Sequence, residues 1–81
     1  MKIRIKAFAS VKDLLGFEEK ELTVSDGITV SGVVALLEKC HPPLKEIKNT
    51  LLFARNEEYC KGDMDLADED TLAIFPHVSG G

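Results

Sequence analysis

The sequence has no tryptophan, one tyrosine, three prolines and two cysteines. The cysteines, Cys40 and Cys60, lie far apart and form no CxxC pair, so there is no zinc-finger spacing to read. Cys40 and His41 are neighbours, a poor chelate geometry, and neither Cys60 nor His77 completes a site, so no metal is expected. Also missing is any uninterrupted apolar stretch of the roughly 7–15 residues that a secretion signal needs, or of the ~20 that a membrane span needs. Met1-Lys2-Ile3-Arg4-Ile5-Lys6 alternates charge and hydrophobe instead. The expected compartment is the cytoplasm, with both thiols reduced. Basic residues are in deficit: Lys and Arg number 10 against 14 Asp and Glu, a formal net charge of -4. A nucleic-acid binder needs a basic face to neutralise phosphates, so neither nucleic acid nor a membrane is an expected partner. There is no P-loop, no GxSxG and no zinc-ligand pair at helical spacing. On this reading the chain brings no catalyst of its own.

What is present suits one small folded domain: 81 residues, 44% hydrophobic and 30% charged. Ile3, Ile5 and Ala7 alternate with Lys2, Arg4 and Lys6, which predicts a strand with one buried face. Phe8 falls on the opposite face from the three hydrophobes and reads as an exposed aromatic. Ser10 to Gly16 reads as a short helical turn, with Ser10 as N-cap and Gly16 as stop. Glu18 to Val24 is a second strand, antiparallel to the first, and Ser25-Asp26-Gly27 is a turn. Thr29 to His41 is the main helix, with Val30, Val33, Val34, Leu37, Cys40 and His41 forming one apolar stripe. Thr29 or Ser31 caps it, Cys40 packs in it as a small hydrophobe, and Pro42-Pro43 ends it. Leu44 to Thr50 is ambiguous and has room for a turn of helix. Leu51 to Ala54 reads as a buried strand, Asn56-Glu57-Glu58 as a turn, and Tyr59-Cys60 as a brief return strand. Asp63, Asp65, Asp68, Glu69 and Asp70 read as a solvated acidic turn anchored by Leu66, and Arg55 as a solvated charge. Thr71 to Phe75 is the last strand, closed by Pro76.

A long helix after a hairpin must cross the sheet to bury its stripe, and the last strand returns beside the first. The expected fold is α+β, a ubiquitin-like β-grasp: a mixed sheet of four to five strands with one main helix packed across it. Residues 1–76 form the domain, and 77–81 form a flexible C-terminal tail ending in Gly-Gly.

Phe75-Pro76-His77-Val78-Ser79-Gly80-Gly81 resembles the end of the small sulfur-carrier subunit of molybdopterin synthase, the MoaD family. Phe8-Ala9-x-Val11-x-x-Leu14-x-Gly16 looks like that family's first strand and turn. Leu52-Phe53-Ala54-x-Asn56-x-x-Tyr59 looks like its central hairpin, and Leu66-x-Asp68-x-Asp70-x-Leu72-Ala73 like its approach to the last strand. The likeness covers essentially the whole chain. Two positions depart from it: His77 stands where the family commonly has a second proline, and Glu69 where it usually has glycine.

The resemblance implies a sulfur carrier that works through Gly81 and Gly80. The Gly81 carboxylate would be adenylated by a ubiquitin-activating-type enzyme using ATP and Mg²⁺, then converted to a thiocarboxylate by a persulfide sulfur donor. The resulting nucleophile would attack a cyclic pyranopterin precursor held by the large synthase subunit, in molybdenum cofactor biosynthesis. Glycines suit such a tail because, lacking Cβ, they thread a narrow channel. No cofactor would be bound by the chain itself. Phe8, Tyr59 and Phe75 match apolar positions through which the family docks, the alternative being that one or more of them is core. Pro76 would stiffen the exit of the tail, and His77, Val78 and Ser79 would enter the partner's channel. The rival readings are a carrier for thiamine thiazole synthesis (ThiS-like), a lysine-conjugating protein modifier, and a non-covalent interaction module.

Overall fold

The computed structural model describes residues 1–77. Strand β1, Lys2–Ala7, buries Ile3, Ile5 and Ala7 and exposes the residues between them, as its period of two requires. Helix α1, Ala9–Leu15, follows at once and buries Val11 and Leu15. It closes on Gly16, whose φ of 81° is the left-handed geometry that ends helices. Its start differs from the expectation of a Ser10 cap. Phe8 occupies the N-cap, its N–H still held in the sheet by the Ile74 carbonyl at 3.2 Å, and its ring has no acceptor with which to cap the helix. Strand β2, Glu19–Thr23, runs antiparallel to β1, with Ile3 opposite Leu22 and Ile5 opposite Lys20.

Helix α2, Val30–Cys40, buries Val30, Val33, Val34 and Leu37. Thr29 caps it, its hydroxyl accepting from the Gly32 N–H at 3.1 Å. Each of these side chains contributes about 1.5–3 kcal/mol on burial. Cys40 does not join them. It is exposed, which corrects the reading of it as core filling: the stripe fixes a position around the helix but not how far the covering layer reaches along it. Two 3₁₀ turns, Pro42–Glu46 and Lys48–Thr50, bring the fully buried Leu44 into the core.

Strands β3, Leu51–Arg55, β4, Glu58–Cys60, and β5, Thr71–Pro76, complete a five-stranded mixed sheet in the order β2-β1-β5-β3-β4. β5 is parallel to β1 and antiparallel to β3. The core, built from Ile3, Ile5, Leu72, Ile74, the α2 stripe, α1, Leu44 and Leu66, is one cluster. The fold is the expected ubiquitin-like β-grasp, with α1 as a second true helix. No helix among the described residues is long and apolar enough to cross a membrane.

Between the 3₁₀ turns and β5 the backbone is held by unusual torsions. Glu69 has φ 72°, and its N–H donates to the Lys2 carbonyl at 2.7 Å. Left-handed backbone favours glycine and costs other residues roughly 1 kcal/mol. That explains why glycine suits this position in the resembling family. Glu69→Gly is expected to raise stability by about 0.5–1 kcal/mol, read as a higher urea midpoint at unchanged slope.

Candidate docking face

β-sheet side chains alternate between faces, so the residues on the side away from α2 follow from the register. On β1 they are Lys2, Arg4 and Lys6; on β2, Glu19 and Glu21; on β5, Thr71, Ala73 and Phe75; on β3, Leu52 and Ala54; on β4, Tyr59. This open face has two halves. The β1–β2 half is charged, with Lys2 3.9 Å from Glu21 and Lys6 4.0 Å from Glu19, exposed pairs that add little stability. The β5–β3–β4 half is apolar.

Phe75 lies at the centre of the apolar half. Its ring centroid is 5.2 Å from that of Phe8, in a tilted pair, and 6.0 Å from that of Tyr59, edge to face. Both separations lie in the favourable range for aromatic pairs. Phe8 is 43% exposed and Tyr59 78%; Phe75, between them, is half-buried. None of the three belongs to the core cluster. The bond from Phe8 N–H to Ile74 keeps Phe8 in sheet geometry, which fixes its ring beside Phe75. Together the rings wall a shallow depression of about 440 Å³, floored by Ala54, Ala73 and Thr71 and rimmed by Lys6, Asn56 and Glu57.

Pro76 ends β5 opposite Leu51, where its missing N–H costs no interior ladder bond. His77 is exposed just beyond it. Val78, Ser79, Gly80 and Gly81, the other tail residues singled out in the sequence, lie outside the described residues. Among the described residues no group of three His, Cys, Asp or Glu side chains is placed to hold a metal ion. Cys60 is half-buried, and its thiol is pushed up in pKa by burial, which the nearby Arg55 charge and a backbone bond only partly offset.

Two features escaped the sequence reading. Leu52 is 38% exposed and sits opposite Phe75 on the open face. The run Leu51-Leu52-Phe53-Ala54 reads in sequence as a buried strand, yet its alternation puts Leu51 and Phe53 on one side and Leu52 and Ala54 on the other. The second feature corrects the solvated readings of Asp70 and Arg55. Asp70 is only 6% exposed. Its carboxylate accepts from the Ala67 N–H at 2.7 Å and from Asn56 Nδ2 at 2.9 Å, and Arg55 Nε stands 2.9 Å away as an ion pair. Burial opposes its charge, but the Ala67 and Asn56 hydrogen bonds and the Arg55 charge outweigh that and hold its pKa below the usual carboxylate value. Asn56 also binds β5 directly: its Oδ1 accepts from the Thr71 N–H at 2.9 Å, and its own N–H donates to the Thr71 carbonyl at 2.8 Å.

The molecule is a β-grasp body with an exposed aromatic cluster where its last strand ends. The sequence pattern of the ThiS family matches residues 5–81. A molybdopterin synthase sulfur carrier subunit of Chlamydomonas reinhardtii is 34% identical over 83 aligned positions, covering 100% of both chains. Among solved structures, a Pyrococcus furiosus protein described as a putative molybdopterin converting factor, subunit 1, is similar with TM-score 0.85 and 28% identity, over 96% of this chain and 99% of that one. The small archaeal modifier protein 1 of Haloferax volcanii is similar with TM-score 0.82 and 25% identity, over 95% and 98%. With a family pattern that spans nearly all of its length, and a full-length sulfur-carrier relative, the chain belongs to the ThiS family of β-grasp sulfur carriers.

Proposed function

We propose that this chain is the sulfur-carrying small subunit of a molybdopterin synthase, working in the cytoplasm. The observation that carries the reading is the end-to-end match to a molybdopterin synthase sulfur carrier subunit. The apolar face beside the end of β5 supports it, since a carrier must present its terminus while docked. An activating enzyme of the ubiquitin-activating type joins the Gly81 carboxylate to AMP from ATP, with Mg²⁺ and release of pyrophosphate. The terminal sulfur of a persulfide on a donor protein then displaces AMP to form an acyl disulfide, and a second thiol cleaves its S–S bond, releasing the thiocarboxylate at Gly81 and leaving the two thiols as a disulfide. The terminal sulfur is the nucleophile toward the pyranopterin precursor in the large subunit, and water then hydrolyses the resulting thioester, leaving the sulfur on the precursor and returning Gly81 to a carboxylate. Gly80 keeps the approach thin, and Pro76, His77, Val78 and Ser79 lead from the docked body to the partner's site. The chain supplies the arm and the docking face; ATP, Mg²⁺ and the precursor belong to the partners.

Intact mass measurement of protein isolated from its own cells tests the carrier step. A species about 16 Da heavier than the unmodified chain is expected, one oxygen replaced by sulfur, and it is expected to vanish when Gly81 is deleted. Reconstitution with the large subunit and the precursor then tests the pathway: the loaded protein is expected to yield molybdopterin and the Gly81-deleted protein none. The likeness to an archaeal modifier protein favours a second reading, conjugation to lysines. High-mass lysine adducts in place of the sulfur-bearing species would establish it.

A further inference from the structure

Tyr59 is the most exposed of the three clustered aromatics, yet it stands on the least supported strand. β4 has three residues and lies at the sheet edge, with β3 as its one neighbour among the described residues. The hairpin joining them has Asn56 and Glu57 as its two central residues, with φ 49° and 72°. That is a type I′ turn, for which Asn suits the first position and glycine the second. Glu57 is strained there. A short edge strand closed by a strained turn is prone to fraying.

What opposes fraying is the Asn56 side chain. Its Oδ1 accepts from the Thr71 N–H and its Nδ2 donates to Asp70 Oδ1, both at 2.9 Å. Asp70 is itself fixed by Ala67 and Arg55. The turn is thereby tied to the first residue of β5, the strand that bears Phe75. Asn56 lies on the rim of the aromatic depression, so its bonds act where the hairpin meets the docking face.

We infer that Asn56, held by Asp70, is a positioning residue for docking: it fixes the β3–β4 hairpin so that Tyr59 stands preformed against Phe75 when the partner protein arrives. The inference rests on the docking role proposed above for this face. A preformed contact spares the ordering that a frayed hairpin must undergo on binding, so the effect of Asn56 reaches the partner through Tyr59.

A double-mutant cycle tests this. Asn56→Gly keeps the left-handed turn available while removing both side-chain bonds. Affinity for the purified large synthase subunit is measured by calorimetry for the wild type, Asn56→Gly, Tyr59→Ala and the double variant. Asn56→Gly is expected to weaken binding about 5–10-fold in the wild-type background and less than about 2-fold when Tyr59 is already alanine. In the free protein, amide exchange is expected to accelerate in β4 and stay unchanged in β1. An equal loss in both backgrounds, or no loss at all, overturns the inference. Phe75→Ala separates this from failure of the docking reading: if that variant binds as tightly as the wild type, the face itself is not the docking surface.

Discussion

Phe75→Ala is expected to weaken binding of the large synthase subunit about 30-fold while leaving the fold nearly intact. The ring sits between Phe8 at 5.2 Å and Tyr59 at 6.0 Å, with Leu52 across the strand pair. Interfaces concentrate their energy in a few central aromatics surrounded by contacts that exclude water, and truncating one costs about 2 kcal/mol or more. Phe75 has that position on the proposed docking face. Phe8, Tyr59 and Leu52 lie around it and lose their common neighbour when it is removed. The fold depends on it far less, because the core uses the other side of β5, Leu72 and Ile74, both fully buried. The unfolding free energy is accordingly expected to fall by about 1 kcal/mol. Leu52→Ala, at the margin, is expected to cost only a few-fold in affinity. Calorimetric titration beside urea unfolding checks both halves. Unchanged affinity, or a loss of stability large enough to account for the lost binding, would show that Phe75 is structural.

The parts of this molecule that were legible in the sequence are those with a local period. β1 is written as alternation, and α2 as a stripe with Thr29 at its head; the parallel return of β5 followed from the order of elements. The aromatic face was legible in pieces, because Phe8 breaks the polar side of β1 and Tyr59 and Phe75 lie in short strands. That they meet required the register: Phe75 opposite Leu52, Ala73 opposite Ala54, and Ala54 opposite Tyr59. Leu52 was hidden inside an apolar run whose alternation has no polar member to reveal it. The Asp70 network had no local signature at all. Asp70 stands among four other acidic residues within the stretch from 63 to 70, and only the adjacency of β3 and β5 brings Arg55 and Asn56 to it. Composition marks that stretch as solvated, whereas the fold buries one member and leaves the rest outside.

That buried member carries the other large expected effect. Asp70→Ala removes the acceptor of the Ala67 N–H and of Asn56 Nδ2, and leaves the Arg55 guanidinium beside it without its counter-charge. Asn56, Ala67 and the Arg55 side chain all reach water, so the loss of two hydrogen bonds to a charged acceptor and of a solvent-screened ion pair is expected to cost about 2 kcal/mol, a large share of the stability of a domain this small. The neighbouring carbonyl of Asp70 accepts from Arg4 N–H at 2.9 Å where the parallel β1–β5 pairing begins. The loss therefore reaches the β1–β5 pair inside the sheet as well as the β3–β4 hairpin at its edge. Its pH dependence has a definite sign. The carboxyl is held below its ordinary value in the folded state, so its stabilisation is complete above the unfolded-state value, near pH 4. It drains away as pH falls through the lower folded value. The wild type is expected to lose stability over that acid range, and Asp70→Asn, which carries no charge at any pH, to lose less. Urea midpoints measured from pH 7 down to pH 3 check this. If Asp70→Asn follows the wild-type curve at a constant offset, the carboxyl titrates alike in the folded and unfolded chain, and its charge adds nothing to the clamp on β5.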